Sequence, residues 1–168
     1  MRIKKFNEMW TQTVTGDKKD VDLQFVSKDK TYYGVHNIHL SYNGERTSVK
    51  AKFDTGARSS SIDFSVAKRL GISDTLIERC KKLEEVDMPK DISRKDQLKL
   101  EKTYTDNLKR DFPEVTSVQA SRSSSGFSIR AYVKMNIEYH GKVITTEVNL
   151  RDRTGLSCEM LVGLKDML

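Results

Sequence analysis

At 168 residues the chain fits one domain and is long enough to bury a core without disulfide or metal staples. Hydrophobic residues make up 36% and charged residues 32%, so a small sheet core with a charged elaboration is expected. No apolar run is long enough to span a bilayer, so no membrane association is expected. The formal net charge of +6 favours acidic partners, whether nucleic acid or an acidic protein segment. Lys and Arg nevertheless alternate with Asp and Glu through the middle of the chain, and no Arg-Gly or aromatic-rich RNA-binding signature is present. Nucleic acid is therefore not the expected partner.

The first segment, about 1–20, carries Ile3, Phe6, Met9 and Trp10 at amphipathic spacing and reads as a short helix or docking arm. Leu23-Gln24-Phe25-Val26 reads as a strand, and Tyr32 to Tyr42 as another, closed into a hairpin by Asn43-Gly44. Val49, Ala51 and Phe53 then alternate with Ser48, Lys50 and Lys52, the pattern of a half-buried strand that delivers Asp54 to its tip.

A helical insertion is expected over about 64–112. Phe64 to Leu70 is stopped by Gly71, Ser73 caps a second helix through Leu83, and Ser93 caps a third through about Arg110. Pro89 and Pro113 punctuate these helices, and Leu76, Ile77, Cys80, Leu83, Leu98, Tyr104 and Leu108 form their apolar stripe. Such a stripe is core packing, or a cover for a groove next to the Asp54 turn.

Ser123-Ser124-Ser125-Gly126-Phe127 reads as a mobile or substrate-facing loop because its small residues permit motion. Ala131 to Tyr139, the turn His140-Gly141 and Val143 to Leu150 repeat the earlier hairpin plan, with Tyr139-His140-Gly141 in the place of Tyr42-Asn43-Gly44. Met160-Leu161-Val162-Gly163 closes the series, and Leu164 to Leu168 is a candidate short helix.

Asp54-Thr55-Gly56-Ala57 looks like the active-site loop of a retropepsin-like aspartic protease, with Met160 to Gly163 as the strand that packs beside that loop. The segments 52–61, 122–130, 147–153 and 161–163 together resemble a bacterial and viral family known as ATP-dependent zinc proteases, retropepsin-like in sequence. The resemblance runs from about Tyr42 to the end, around the helical insertion. It implies a mainly β, retropepsin-like closed barrel or sandwich half, α+β overall once the insertion is counted. The chain departs from the family at Gly163-Leu164, where Gly-Arg is usual, and at Thr154 to Glu159, where the usual proline is missing.

The implied activity is that of an aspartic endopeptidase. This chemistry needs two carboxylates that share one proton, and the chain shows one such loop, so a homodimer acting on a protein or peptide substrate is implied. Asp54, Thr55 and Gly56 are the catalytic candidates, and Ala57, Arg58, Ser125 and Gly126 the substrate-binding ones. Ala57 offers no hydroxyl to the ionised pair, which points to activity nearer neutrality than in relatives with Ser or Thr there.

Other readings stay open. One is a retropepsin-fold binding or assembly module, such as a virion component, that pairs without cutting. Another is a nucleic-acid-associated protein that uses the basic insertion. An Asp-Thr-Gly turn also caps ordinary bends, and Arg151 and Arg153 also read as surface charges.

No metal or cofactor is expected. His36 and His39 fall on opposite faces of a strand, His140 sits in a turn, and no Lys-Ser/Thr phosphate loop is present. Cys80 and Cys158 read as free, partly buried thiols of a reducing cytoplasm.

Overall fold

A computed structural model of the chain describes residues 24–26, 31–123 and 126–167. The expected N-terminal arm lies outside these residues. The strands are β1 (Gln24–Val26), β2 (Thr31–Tyr33), β3 (Val35–Tyr42), β4 (Glu45–Asp54), β5 (Ser61–Asp63), β6 (Val115–Ser123), β7 (Gly126–Tyr139), β8 (Lys142–Arg151) and β9 (Met160–Gly163). The helices are α1 (Phe64–Arg69), α2 (Asp74–Glu84), α3 (Arg94–Asp111) and α4 (Leu164–Met167).

Both hairpin turns form as their residues dictate. Asn43 and Gly44 take φ of 47° and 83°, and His140 and Gly141 take 47° and 70°. Two successive positive-φ residues match the right-handed twist of the strands they join. The turns pair Tyr42 with Glu45 and Tyr139 with Lys142, so the two hairpins are built alike. In β4 the alternation holds, with Val49, Ala51 and Phe53 buried and Lys50 and Lys52 exposed.

Among the described residues seven strands form one sheet in the order β3-β4-β9-β5-β8-β7-β6, and a further pairing of β3 with β7 closes it into a barrel. The pairings around β9 and β5 have an internal twofold logic. β4 runs parallel to β9, β8 runs parallel to β5, and β5 and β9 meet antiparallel in the middle. Each half is thus a hairpin whose second strand borders the short strand of the other half. This crossed arrangement makes the fold mainly β and retropepsin-like, a closed barrel with a helical insertion.

The insertion is capped as expected. Leu76 N–H donates to Ser73 Oγ at 3.2 Å and Asp96 N–H to Ser93 Oγ at 3.1 Å. Gly71, with φ of 80°, ends the first helix. Leu76, Ile77, Cys80, Leu83 and Leu108 are buried, and Tyr104 is packed partly against the core. Leu98 breaks the expected stripe: it is 48% exposed, while its neighbour Gln97 is buried and donates to Glu101 Oε1 at 3.0 Å.

Other strand boundaries also differ from expectation. The strand expected over Tyr32 to Tyr42 is broken at Gly34, which has φ of 53°. Segment 115–123 is a strand, and its partner begins at Gly126 instead of Ala131, so the expected Ser-rich loop lies at the tip of a long hairpin.

β9 places Gly163 opposite Asp54. A Cβ built on Gly163 would come within 2.4 Å of the Ser59 carbonyl carbon and 2.7 Å of its nitrogen and oxygen. Main chain cannot yield as a flexible side chain can, so this glycine is required for the close approach. Gly163→Ala is expected to destabilise the protein by about 2 kcal/mol or more, read as a lowered urea midpoint with an unchanged slope. An unaltered midpoint would show that the loop does not depend on this contact.

Candidate functional site

Asp54 ends β4 and begins a tight turn. Ala57 N–H donates to Asp54 O at 3.2 Å, and Gly56 N–H donates to Asp54 Oδ1 at 2.9 Å. The second bond fixes the rotamer of the carboxylate. Asp54, Thr55 and Ala57 are half-buried, whereas Gly56 and Arg58 are exposed, so the turn presents its face at the surface of the chain.

The turn is braced from below. Ala57 O accepts Leu164 N–H at 2.8 Å and Arg58 O accepts Lys165 N–H at 3.2 Å, so the loop carbonyls occupy the first free N–H groups of α4. Ser60 Oγ accepts Gly163 N–H at 3.0 Å and donates to Asp166 Oδ2 at 2.5 Å. The other oxygen of Asp166 accepts Thr146 Oγ1 at 2.6 Å, and its main-chain oxygen accepts the Tyr139 hydroxyl at 2.9 Å. Asp166 is only 5% exposed, a buried carboxylate with hydroxyl donors on both oxygens.

From β8, fully buried Asn149 donates through Nδ2 to Ser60 O at 2.8 Å. From β7, the Tyr132 hydroxyl lies 3.2 Å from Ser59 Oγ. The reading from sequence assigned none of Ser60, Tyr132, Asn149 and Asp166 a role. Their partners lie 20 to 106 residues away, beyond the reach of local pattern.

The internal twofold shows what stands in the other half. The last residues of the two short strands, Gly163 and Asp63, face Asp54 and Arg151 respectively. Arg151 thus holds the place equivalent to Asp54, and this half offers no second aspartate there.

Asp152 does not pair through its carboxylate with either neighbouring arginine. Its Oδ1 accepts Thr154 N–H at 2.8 Å, and the hydrogen bonds from Thr154 hold it below the usual carboxylate range. Arg153 is not a surface charge. It is 7% exposed and donates to Cys158 O at 3.1 Å and Ser61 Oγ at 3.2 Å. Burial first, and then Arg151, lower its pKa from the ordinary arginine value.

Above the loop lies a cleft of about 530 Å³. It is lined by Arg58 and Ser59 of the loop, by Gln119, Ala120, Ser121 and Arg122 of β6, and by Tyr132, Arg94 and Lys165. The hairpin β6–β7 is therefore its roof. Four lining residues are cations and none is a carboxylate. The Arg122 guanidinium stacks over the Phe127 ring at 4.7 Å, which holds it beside the hairpin tip. Gly126 opens β7 at that tip with φ of 119°, and Ser125 lies outside the described residues.

The described residues do not fit a zinc ion. Among the described residues no group of three or more His, Cys, Asp or Glu is placed to hold a metal, and His36 packs edge-on against His140 at 5.2 Å between ring centroids. Cys80 and Cys158 are free and buried, and burial, aided by Glu84, pushes the Cys80 thiol up to about 12. No described helix is long and apolar enough to cross a membrane.

No family model and no curated protein matches the chain, so membership of the ATP-dependent zinc protease family has no support beyond the residues quoted from the sequence. Solved structures with a likeness include a Legionella pneumophila protein of unknown function, 18% identical, with 78% of this chain and 83% of that one covered at a TM-score of 0.36. Another is the retroviral protease-like domain of Ddi1 from Leishmania major, 12% identical, with 80% and 75% covered at a TM-score of 0.37. The fold is read from the strand order and registers of this chain.

Asp63, at the end of β5, links the two halves. It caps α1 by accepting Ser65 N–H at 3.0 Å and accepts Arg153 N–H at 2.6 Å. Burial alone would raise its pKa, but the hydrogen bonds from Ser65 and Arg153 outweigh that and hold it below the usual value. A folded value below the unfolded one gives stability that is complete above about pH 4 and is lost as the pH falls through the folded value. Asp63→Asn should therefore flatten the decline of the urea midpoint as the pH falls below about 4. A decline as steep as in the parent protein would show that Asp63 does not carry it.

Proposed function

We propose that the chain is one half of an aspartic endopeptidase that acts as a homodimer, with Asp54 of two chains holding one hydrolytic water. The observation that carries this reading is a surface-facing Asp54 turn, locked by Gly56 and braced by α4, in a chain whose equivalent turn carries Arg151. One such turn supplies one carboxylate, and the reaction needs two. The sequence resemblance to retropepsin-like proteases supports the same assignment. Two free, buried thiols fit a reducing cytoplasm.

In the dimer the ionised Asp54 removes a proton from the water, while its protonated counterpart donates a hydrogen bond to the scissile carbonyl oxygen. The water oxygen adds to the carbonyl carbon and gives a tetrahedral intermediate. The C–N bond then breaks as the departing nitrogen takes a proton from the carboxyl pair. Thr55 braces the partner loop through its hydroxyl, and Gly56, without a side chain, lets the two turns approach.

Asp54→Asn should abolish peptide cleavage, a loss of at least about 1,000-fold in kcat, with the urea midpoint and dimer mass retained. Inhibitors with a hydroxyl in place of the scissile carbonyl should block the parent protein. No cleavage by the parent protein, with assembly unaffected in the Asn variant, would instead make the chain a non-catalytic binding or assembly module.

The cationic cleft defines the substrate class. Arg58, Arg94, Arg122 and Lys165 surround a space beside the turn with no acidic residue in its lining, so an extended peptide with acidic side chains is the complementary occupant. The double variant Arg94→Glu with Arg122→Glu is expected to raise KM for an acidic peptide about tenfold or more, and to change it little for a neutral one. Equal effects on both peptides would remove charge as the basis of selection.

A further inference from the structure

Strand β6 has one edge on β7 and the other against α3. Along that outer edge, Val118 N–H donates to Thr105 Oγ1 at 2.9 Å and Ala120 N–H to Glu101 Oε1 at 2.8 Å. The acceptors lie one helical turn apart and take the place of a neighbouring strand. Gln97 Nε2 steadies the same Glu101 oxygen at 3.0 Å, and Thr105 Oγ1 also donates to Glu101 O at 2.7 Å.

Main-chain groups on a strand point alternately to its two sides, so the next residue of β6 that faces outward after Ala120 is Arg122. Arg122 lines the cleft together with Ala120 and Ser121. The bond to Glu101 therefore lies at the margin of the cleft, one outward-facing residue before Arg122. A two-stranded hairpin is marginally stable by itself, so what fixes β6 at this margin fixes the edge a peptide meets.

We infer that Glu101 is a positioning residue for the reaction proposed above. It ties the roof strand at Ala120 so that the outward main chain at Arg122 stands ready to pair with an extended peptide. This rests on the peptidase reading for its substrate. The bond is charge-assisted, and prior ordering of the roof lowers what the peptide must order on binding. Glu101 touches neither the peptide nor the reacting atoms, so its removal weakens binding and leaves the chemical step intact.

The test compares Glu101→Ala and Glu101→Gln in the full chain. The readouts are amide hydrogen exchange at Ala120, KM and kcat on an acidic peptide, and affinity for the same peptide in an Asp54→Asn background. In the Ala variant, Ala120 exchange should rise about tenfold or more, KM should rise about fivefold, and kcat should stay within about twofold. The Gln variant keeps an acceptor oxygen and should restore both protection and KM. Unchanged exchange in the Ala variant, equal damage in the two variants, or a fall in kcat at constant KM overturns the assignment. If no version cleaves the peptide, the peptidase reading fails by itself. Weakened binding in the Ala variant with rescue by Gln then still supports the positioning role, equal binding in both refutes it, and the absence of any peptide affinity refutes both proposals.

Discussion

The missing side chain of Gly163 is the constraint on which the arrangement of this site depends. Because nothing projects from β9 at that point, the Ser59 main chain lies directly against it, and Ser60 Oγ reaches Gly163 N–H. That contact carries the Asp54 turn onto the N-terminus of α4, where its carbonyls meet free N–H groups, and leads through Ser60 to the buried carboxylate of Asp166. A buried carboxylate is stabilising only when its oxygens are satisfied, and both Asp166 oxygens are. The turn thus rests on a rigid base while its outer face stays open.

Charge is distributed around this base with a consistent logic. Within the barrel, burial opposes ionisation of Asp63 but is outweighed by hydrogen bonds, and Arg153 stays buried by donating to a main-chain oxygen and a serine. At the cleft the cations are exposed to an incoming ligand and meet no lining carboxylate. Buried charges tie the halves together, and surface charges remain for recognition.

Much of the framework is legible in the sequence because it depends on local chemistry. Asn43-Gly44 and His140-Gly141 specify tight turns, Ser73 and Ser93 specify helix starts, and the alternation before Asp54 specifies a strand with an exposed tip. What was not legible depends on distant partners. Val115 to Ser123 is rich in small polar residues that signal no strand by themselves, yet it is a strand because β7 pairs with one edge and α3 side chains with the other. Leu98 fits the helical stripe by spacing, but α3 turns Gln97 inward to hold Glu101, which leaves Leu98 in solvent. Asn149, Asp166 and the burial of Arg153 follow from the crossing of the two halves, which no window of sequence shows.

The separation of the two Asp54 carboxylates in the assembled protein, read from a crystal structure with a hydroxyl-bearing peptide mimic bound, tests the account most directly. Two chains related by a twofold axis are expected, with both carboxylates within hydrogen-bonding distance of the same hydroxyl. A structure with each Asp54 alone, or with the two turns facing away from each other, would contradict it.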